Sequence, residues 1–176
     1  VHFIFQPAEE NEGGARVMVE DGLFEKFPVD AVYGMHNWPG MAEGKFAVRR
    51  GPMMASFDIF EIVIEGEGGH AAMPHLANDP VIVAANLVTA LQTIVSRVAD
   101  PQNSAVVSVT QIHGGDTWNV IPAEVTLRGT TRSFSAEVQD MIEAKVKEMA
   151  ERVCATFGAT CRVSYERRYP PTVNSD

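Results

Sequence analysis

Apolar and polar residues follow two different periods along this chain, and the period switches several times. Residues 1–5 form a short apolar run, the length of a buried strand rather than of a helix. Residues 6–14 hold a proline, three acids and two glycines and read as a loop. Residues 14–24 space Val17, Met18 and Leu23 as on a helix, and 29–35 read as a second strand, broken by His36-Asn37-Trp38-Pro39-Gly40. Strand, helix, strand is an α/β signature, with too few elements to close a sheet of its own.

From residue 57 the pattern changes. Phe60, Ile62 and Ile64 share one face of a strand and alternate with Glu61, Val63 and Glu65. A glycine-rich loop follows over 66–78. Asp79-Pro80 then starts a helix, with Asp as N-cap and Pro in the first turn. Val83, Leu87, Leu91, Ile94 and Val98 give that helix one apolar face. Residues 104–112 and 124–134 read as strands. Ser135 caps a second helix whose face is Val138, Ile142, Val146, Met149, Val153 and Phe157, and Gly158 ends it. A last strand is predicted over 159–165. The order β-α-β-β-α-β is the split βαβ, ferredoxin-like arrangement, with two helices on one face of an antiparallel sheet. The expected class is therefore α+β, a complete ferredoxin-like domain behind a truncated α/β piece. The expected boundaries are 1–52, 53–168 and 169–176, the last returning toward the first domain. The chain opens without Met inside an apolar segment, so the expectation is an internal piece of a longer protein.

Composition narrows the partners. Hydrophobic residues at 45% and charged residues at 21% are globular proportions. Fourteen basic against 23 acidic residues give a net charge of −9, which argues against nucleic acid or an anionic membrane as partner. No apolar run reads as approaching the roughly 18 residues of a membrane span. Cys154 and Cys161 have neither CxxC nor zinc spacing. They are expected to be reduced core thiols, which suits a cytoplasmic protein.

Candidate chemistry begins at Glu9-Glu10, directly after the first expected strand. Adjacent carboxylates in an extended loop point in different directions. One can hold a metal while the other reaches a water, the division of labour that hydrolysis requires. Taken alone, such a pair is more often a solvated loop. His36 ends the next expected strand, and imidazole is a common metal ligand. If the two strands are parallel neighbours, Glu10 and His36 converge on one rim. His70 sits in the glycine-rich loop as a turn residue or a polarising donor. Asn119 can donate to a substrate oxygen or simply serve a turn. Arg132 can grip a carboxylate bidentately or be an ordinary surface arginine.

Together QPAEE at 6–10, GMHNWPG at 34–40, GEGGHAAMPH at 66–75 and WNVIP at 118–122 resemble the metal-dependent aminoacylase and carboxypeptidase G family. The similarity is greatest to the branch of hippurate hydrolases and plant indole-acetyl-amino-acid hydrolases, and it covers nearly the whole chain. The resemblance implies hydrolysis of N-acyl amino acids with two divalent metal ions (Zn, Mn, Co or Ni). It implies Glu9 as general base, Glu10 and His36 as metal ligands, and His70 as oxyanion stabiliser, supplied in several relatives by the partner subunit. Asn119 and Arg132 match residues that touch the substrate. The ferredoxin-like domain matches a lid through which a homodimer forms. The family's remaining ligands, from an upstream segment and from a histidine near the C-terminus, have no match here, so the chain alone is expected to be inactive. Two alternatives stay open: a non-catalytic dimerisation module, and a dipeptidase or diaminopimelate-precursor deacetylase of the same family.

Overall fold

The computed structural model describes residues 1–10 and 13–175, in two compact units, Val1–Val48 and Arg49–Asp176. The predicted 6–14 loop includes Asn11 and Glu12, and the last predicted segment includes Asp176. These three lie outside the described residues.

The first unit contains two short helices, α1 (Gly14–Glu20) and α2 (Leu23–Lys26). The single helix predicted over 14–24 is divided because Gly22 takes φ 84°, a left-handed conformation that no helix continues through. The two predicted strands, 1–5 and 29–35, are not strands in the structure: among the described residues this unit has no paired strand. A strand exists by exchanging N–H···O=C bonds with a neighbour, and neither segment has one here. Phe3, Phe5 and Met35 consequently stand 85%, 87% and 83% exposed.

The second unit is a packed α+β body. Its elements are β1 (Gly51–Met54), β2 (Phe57–Glu65), β3 (Gly69–His70), α3 (Pro80–Thr93), β4 (Ala105–His113), β5 (Val120–Ile121), β6 (Glu124–Ser133), α4 (Ala136–Thr156), β7 (Thr160–Tyr169) and β8 (Thr172–Asn174). The main sheet runs β4-β6-β2-β7, every neighbour antiparallel. Two small ladders, β1-β8 and β3-β5, accompany it. Strand β2 alternates in burial residue by residue. Its Phe60, Ile62 and Ile64 meet Leu87 and Leu91 from α3, Leu127 from β6, and Ile142 and Val146 from α4 in one core. Fully burying such a side chain stabilises by about 1.5–3 kcal/mol. The caps are those predicted: Asp79 Oδ1 accepts from the Val81 N–H at 2.8 Å, and Ser135 Oγ from the Val138 N–H at 3.3 Å.

Four expectations change in this unit, one of them Phe157: predicted on the apolar face of the second helix, it lies just past the end of α4 and is 40% exposed. Val98, predicted on the buried face of the first long helix, is 41% exposed. The helix widens into a π-turn over Ile94–Val98, so four residues no longer bring the chain back to the same face. The stretch Pro80–Val98, 19 residues of mean hydropathy 1.6, is long and apolar enough to cross a membrane by length and composition, contrary to the sequence expectation. Its Val83, Leu87, Leu91 and Ile94 are buried in the core. Strand β7 continues four residues past Tyr165 because β2 still pairs with it as far as Phe57↔Tyr169.

A buried carboxylate, Asp58, lies at one end of this core. Gln139 Nε2 donates to both Asp58 carboxylate oxygens at 2.9 and 3.0 Å, and the Tyr165 hydroxyl donates to Oδ2 at 3.0 Å. Burial pushes the Tyr165 phenol up from its ordinary pKa, which keeps it a donor. Both cysteines are free thiols, and burial pushes Cys154 up to about 12, leaving it protonated and inert.

Candidate active site

His70 is placed by the backbone around it. Gly68 lies against the β5 edge so closely that a Cβ there would sit 2.8 Å from the Ile121 carbonyl oxygen. Only glycine lets the loop approach so near. The chain then pairs, Gly69 with Ile121 and His70 with Val120, and the Ala71 N–H donates to the Asn119 carbonyl at 3.0 Å. His70 and Asn119, 49 positions apart in number, are thereby held at one end of the same ladder. The Ala72 N–H donates to His70 Nδ1 at 3.1 Å. In the neutral ring this makes Nδ1 the acceptor and puts the proton on Nε2, free to donate outward. Asn119 Oδ1 accepts from Thr117 Oγ1 at 3.4 Å, which leaves its Nδ2 hydrogens for another acceptor. Trp118, beside it, is fully exposed.

Arg132 is on β6. Its Nη1 donates to Thr130 Oγ1 and, at 2.8 Å, to the Thr131 carbonyl, while its Cζ lies 4.2 Å from the centre of the Phe57 ring. It makes no ion pair among the described residues. Burial lowers its pKa and the charge of Asp58 partly restores it; an arginine remains a cation throughout. It borders an open cavity of about 400 Å³ with Asp100, Asn103, Ser104 and Phe134 on its wall.

Glu9, Glu10 and His36 belong to the first unit, and all three are exposed. Glu9 and Glu10 lie in a turn rather than at a strand end, and His36 follows a segment with no strand pairing. The rim of two neighbouring strands on which Glu10 and His36 were to converge is not formed. Two observations nevertheless define the acidic turn. Ala8, just before Glu9, has φ 48°, an unusual value for a residue with a side chain. Gly14 is buried against Pro7, where a Cβ would fall 1.8 Å from the Pro7 carbonyl oxygen. The turn is thus folded back on the start of α1. Among the described residues no three His, Cys, Asp or Glu side chains gather as a metal site. Glu10 and His36 are suitable donors for a divalent ion, but two donors fall short of the three or four protein ligands of a typical zinc centre.

Sequence reasoning missed Phe57 and Gly14. The second had a local signal, a Gly-Gly pair between an acidic loop and a helix start. Phe57 had none, because its place beside Arg132 depends on strand register.

The sequence profile of peptidase family M20/M25/M40 matches residues 1–176, and the chain belongs to that family. It is 43% identical over 176 residues to the N-acetyl-L-cysteine deacetylase of Bacillus subtilis, covering all of this chain and 42% of that protein. It is 41% identical to the hippurate hydrolase of Campylobacter jejuni, covering all of this chain and 46% of that one. A solved dinuclear metal-binding M20 peptidase of Bacillus subtilis superposes with a TM-score of 0.77 at 36% identity, over 98% of this chain and 42% of its own. The chain therefore spans less than half the length of the curated relatives it matches.

Proposed function

We propose that the whole protein hydrolyses the amide bond of N-acyl amino acids, of hippurate or N-acetyl type, to a carboxylic acid and a free amino acid. The observation that carries this reading is the His70–Asn119 pair, held at one end of the β3-β5 ladder, with Nε2 of the neutral imidazole and the Asn119 Nδ2 left to donate. Donors so arranged stabilise the oxyanion that appears when an amide carbon becomes tetrahedral. Arg132 lies at the other end of β6 from that ladder, roughly 26 Å along the strand; cationic and without an ion-pair partner among the described residues, it receives the substrate carboxylate, with the oxyanion donors supplied by the partner subunit. Glu9 takes the proton of the attacking water and delivers it to the departing amine. Glu10 and His36 contribute to a centre of two divalent ions (Zn, Mn, Co or Ni), which supplies Lewis acidity when bound. The names of the relatives, a deacetylase, a hippurate hydrolase and a dinuclear metal peptidase, support this chemistry.

Within that reading the second unit is a ferredoxin-like lid through which the protein dimerises, and the first is part of an α/β catalytic domain. Segments 1–5 and 29–35 pair as strands in the whole protein, burying the side chains that stand bare here. A cytoplasmic location belongs to the same proposal. Changing Glu9 to Gln in the whole protein tests the core of the proposal. Turnover of N-acyl amino acids falls by roughly 10²–10⁴-fold, with metal content and oligomeric state preserved. Undiminished turnover in that variant overturns the assignment.

A further inference from the structure

Arg132 is held by an unusual set of contacts. It is partly desolvated, yet its partners are neutral: the Thr130 hydroxyl, the Thr131 carbonyl and the face of Phe57. Nη1 makes both hydrogen bonds; Nε and Nη2 have no hydrogen-bond partner among the described residues. Those two groups form one edge of the guanidinium, the edge that matches a carboxylate bidentately. Phe57 is itself held from behind. Its ring stacks on Tyr169 at 5.9 Å between centroids and 27° between planes. A register irregularity puts it there. Asp58 pairs with Arg167 but Phe57 pairs with Tyr169, so Arg168 is the extra residue of a bulge. Without the bulge, Arg168 would lie opposite Phe57, one cation beside another; with it, an aromatic ring does. Bulges commonly re-aim a side chain in this way near functional sites.

We infer that Phe57, backed by Tyr169, is a positioning residue for substrate-carboxylate recognition. Its ring fixes the plane of the Arg132 guanidinium and leaves the Nε–Nη2 edge for the anion. The inference rests on the proposed role of Arg132 as the carboxylate receptor. A flexible arginine must lose rotamer freedom to bind bidentately. One already stacked and bonded through Nη1 has lost it, so the cost is not charged against binding. Removal of the ring therefore raises KM for a carboxylate-bearing substrate and leaves kcat nearly unchanged.

The test compares two substrates in the whole metal-loaded protein: the N-acyl amino acid it turns over fastest, and that compound's C-terminal carboxamide. The scissile bond is the same and only the anion differs. Phe57→Leu, with Phe57→Met as a second ring-less variant should the first fail to accumulate, raises KM for the carboxylate about tenfold, within the range of a desolvated cation–π contact. It leaves kcat within about twofold and KM for the carboxamide unchanged. Phe57→Trp keeps a ring and restores the carboxylate KM. Parallel losses on both substrates, or an unchanged preference, overturn the inference, since a merely structural role moves both together. Arg132→Met separates the two levels. If it leaves the preference for the carboxylate intact, the reading of Arg132 has failed and this inference with it. If Arg132→Met abolishes the preference while Phe57→Leu does not touch it, the positioning role alone has failed.

Discussion

The second unit leaves Ile62, Leu127 and Ile142 no solvent exposure, whereas the first leaves Phe3, Phe5 and Met35 almost bare. Both regions carry good apolar patterns. The difference lies in where hydrogen-bond partners are found. Strand β2 has β6 on one side and β7 on the other, and its inner face is covered by α3 and α4 of the same chain. The segments 1–5 and 29–35 have no ladder partner among the described residues, and an unpaired backbone cannot be buried without losing its bonds to water. A hydrophobic pattern is thus a capacity for burial, realised only where pairing is available. The proposed chemistry divides along the same line. The oxyanion donors and the carboxylate receptor sit in the unit that builds its own core; the proton carrier and the metal donors sit in the one that does not.

The strongest way to break this contrast is to remove a buried and an exposed side chain in the 176-residue chain and compare. Leu127→Ala takes a fully buried side chain from the core and costs about 2–5 kcal/mol. Phe5→Ala, a larger deletion at an exposed position, changes stability by no more than about 0.5 kcal/mol. Urea unfolding followed by far-UV circular dichroism reads both. A Phe5→Ala loss as large as that of Leu127→Ala would refute the contrast.

A smaller effect tests whether the first unit holds its acidic turn by shape. In Gly14→Ala the new Cβ meets the Pro7 carbonyl oxygen, a backbone atom, so the turn carrying Glu9 and Glu10 has to move. In the whole protein kcat falls about tenfold, or roughly 1.4 kcal/mol of barrier. The melting of the second unit stays where it was. Unaltered kcat would mean that the turn adapts freely and that the Gly14 contact does not set the position of Glu9.

What the sequence made legible follows from how local each cause is. Asp79 and Ser135 cap helices through residues two and three positions on, so both starts were readable. The alternation in β2 and the stripes of Val83, Leu87, Leu91 and of Val138, Ile142, Val146 were equally plain, and the order of the long elements in the second unit came with them. Val98 escaped because a π-turn changes the period within one turn. The short ladders β1-β8 and β3-β5 escaped because strands of two to four residues carry too little pattern. For the candidate site, residue types pointed to His70 and Asn119, but only the β3-β5 pairing joins them. The Arg132–Phe57–Tyr169 stack depends on a one-residue bulge, and register is not written in composition.

The smallest expected effect sharpens the same contrast at the level of charge. Glu143 on α4 accepts from Lys147 Nζ at 2.6 Å and from Arg167 Nε at 2.8 Å, and Arg167 also reaches Asp140 at 2.7 Å. The hydrogen bond from Lys147, and after it the one from Arg167, hold the Glu143 carboxyl below the usual carboxylate range, against an opposing contribution from burial. A depressed folded-state pKa contributes stability above the ordinary unfolded value, about 4.3, and that contribution is lost as pH falls through the folded value. Because Lys147, Arg167 and Asp140 are exposed and Glu143 is only partly buried, the network contributes no more than about 1 kcal/mol at neutral pH. Glu143→Gln therefore lowers the unfolding free energy slightly at pH 7. The difference shrinks below pH ~4.3 as the wild-type carboxyl protonates, and also in concentrated salt. A gap that widened on acidification would show the opposite sign of coupling and remove Glu143 from the account. In the first unit, the Arg16–Glu20 pair at 3.9 Å, exposed on both sides, is expected to give no measurable change when Glu20 becomes Gln. An equal effect at Glu20 and Glu143 would erase the electrostatic difference between the two units.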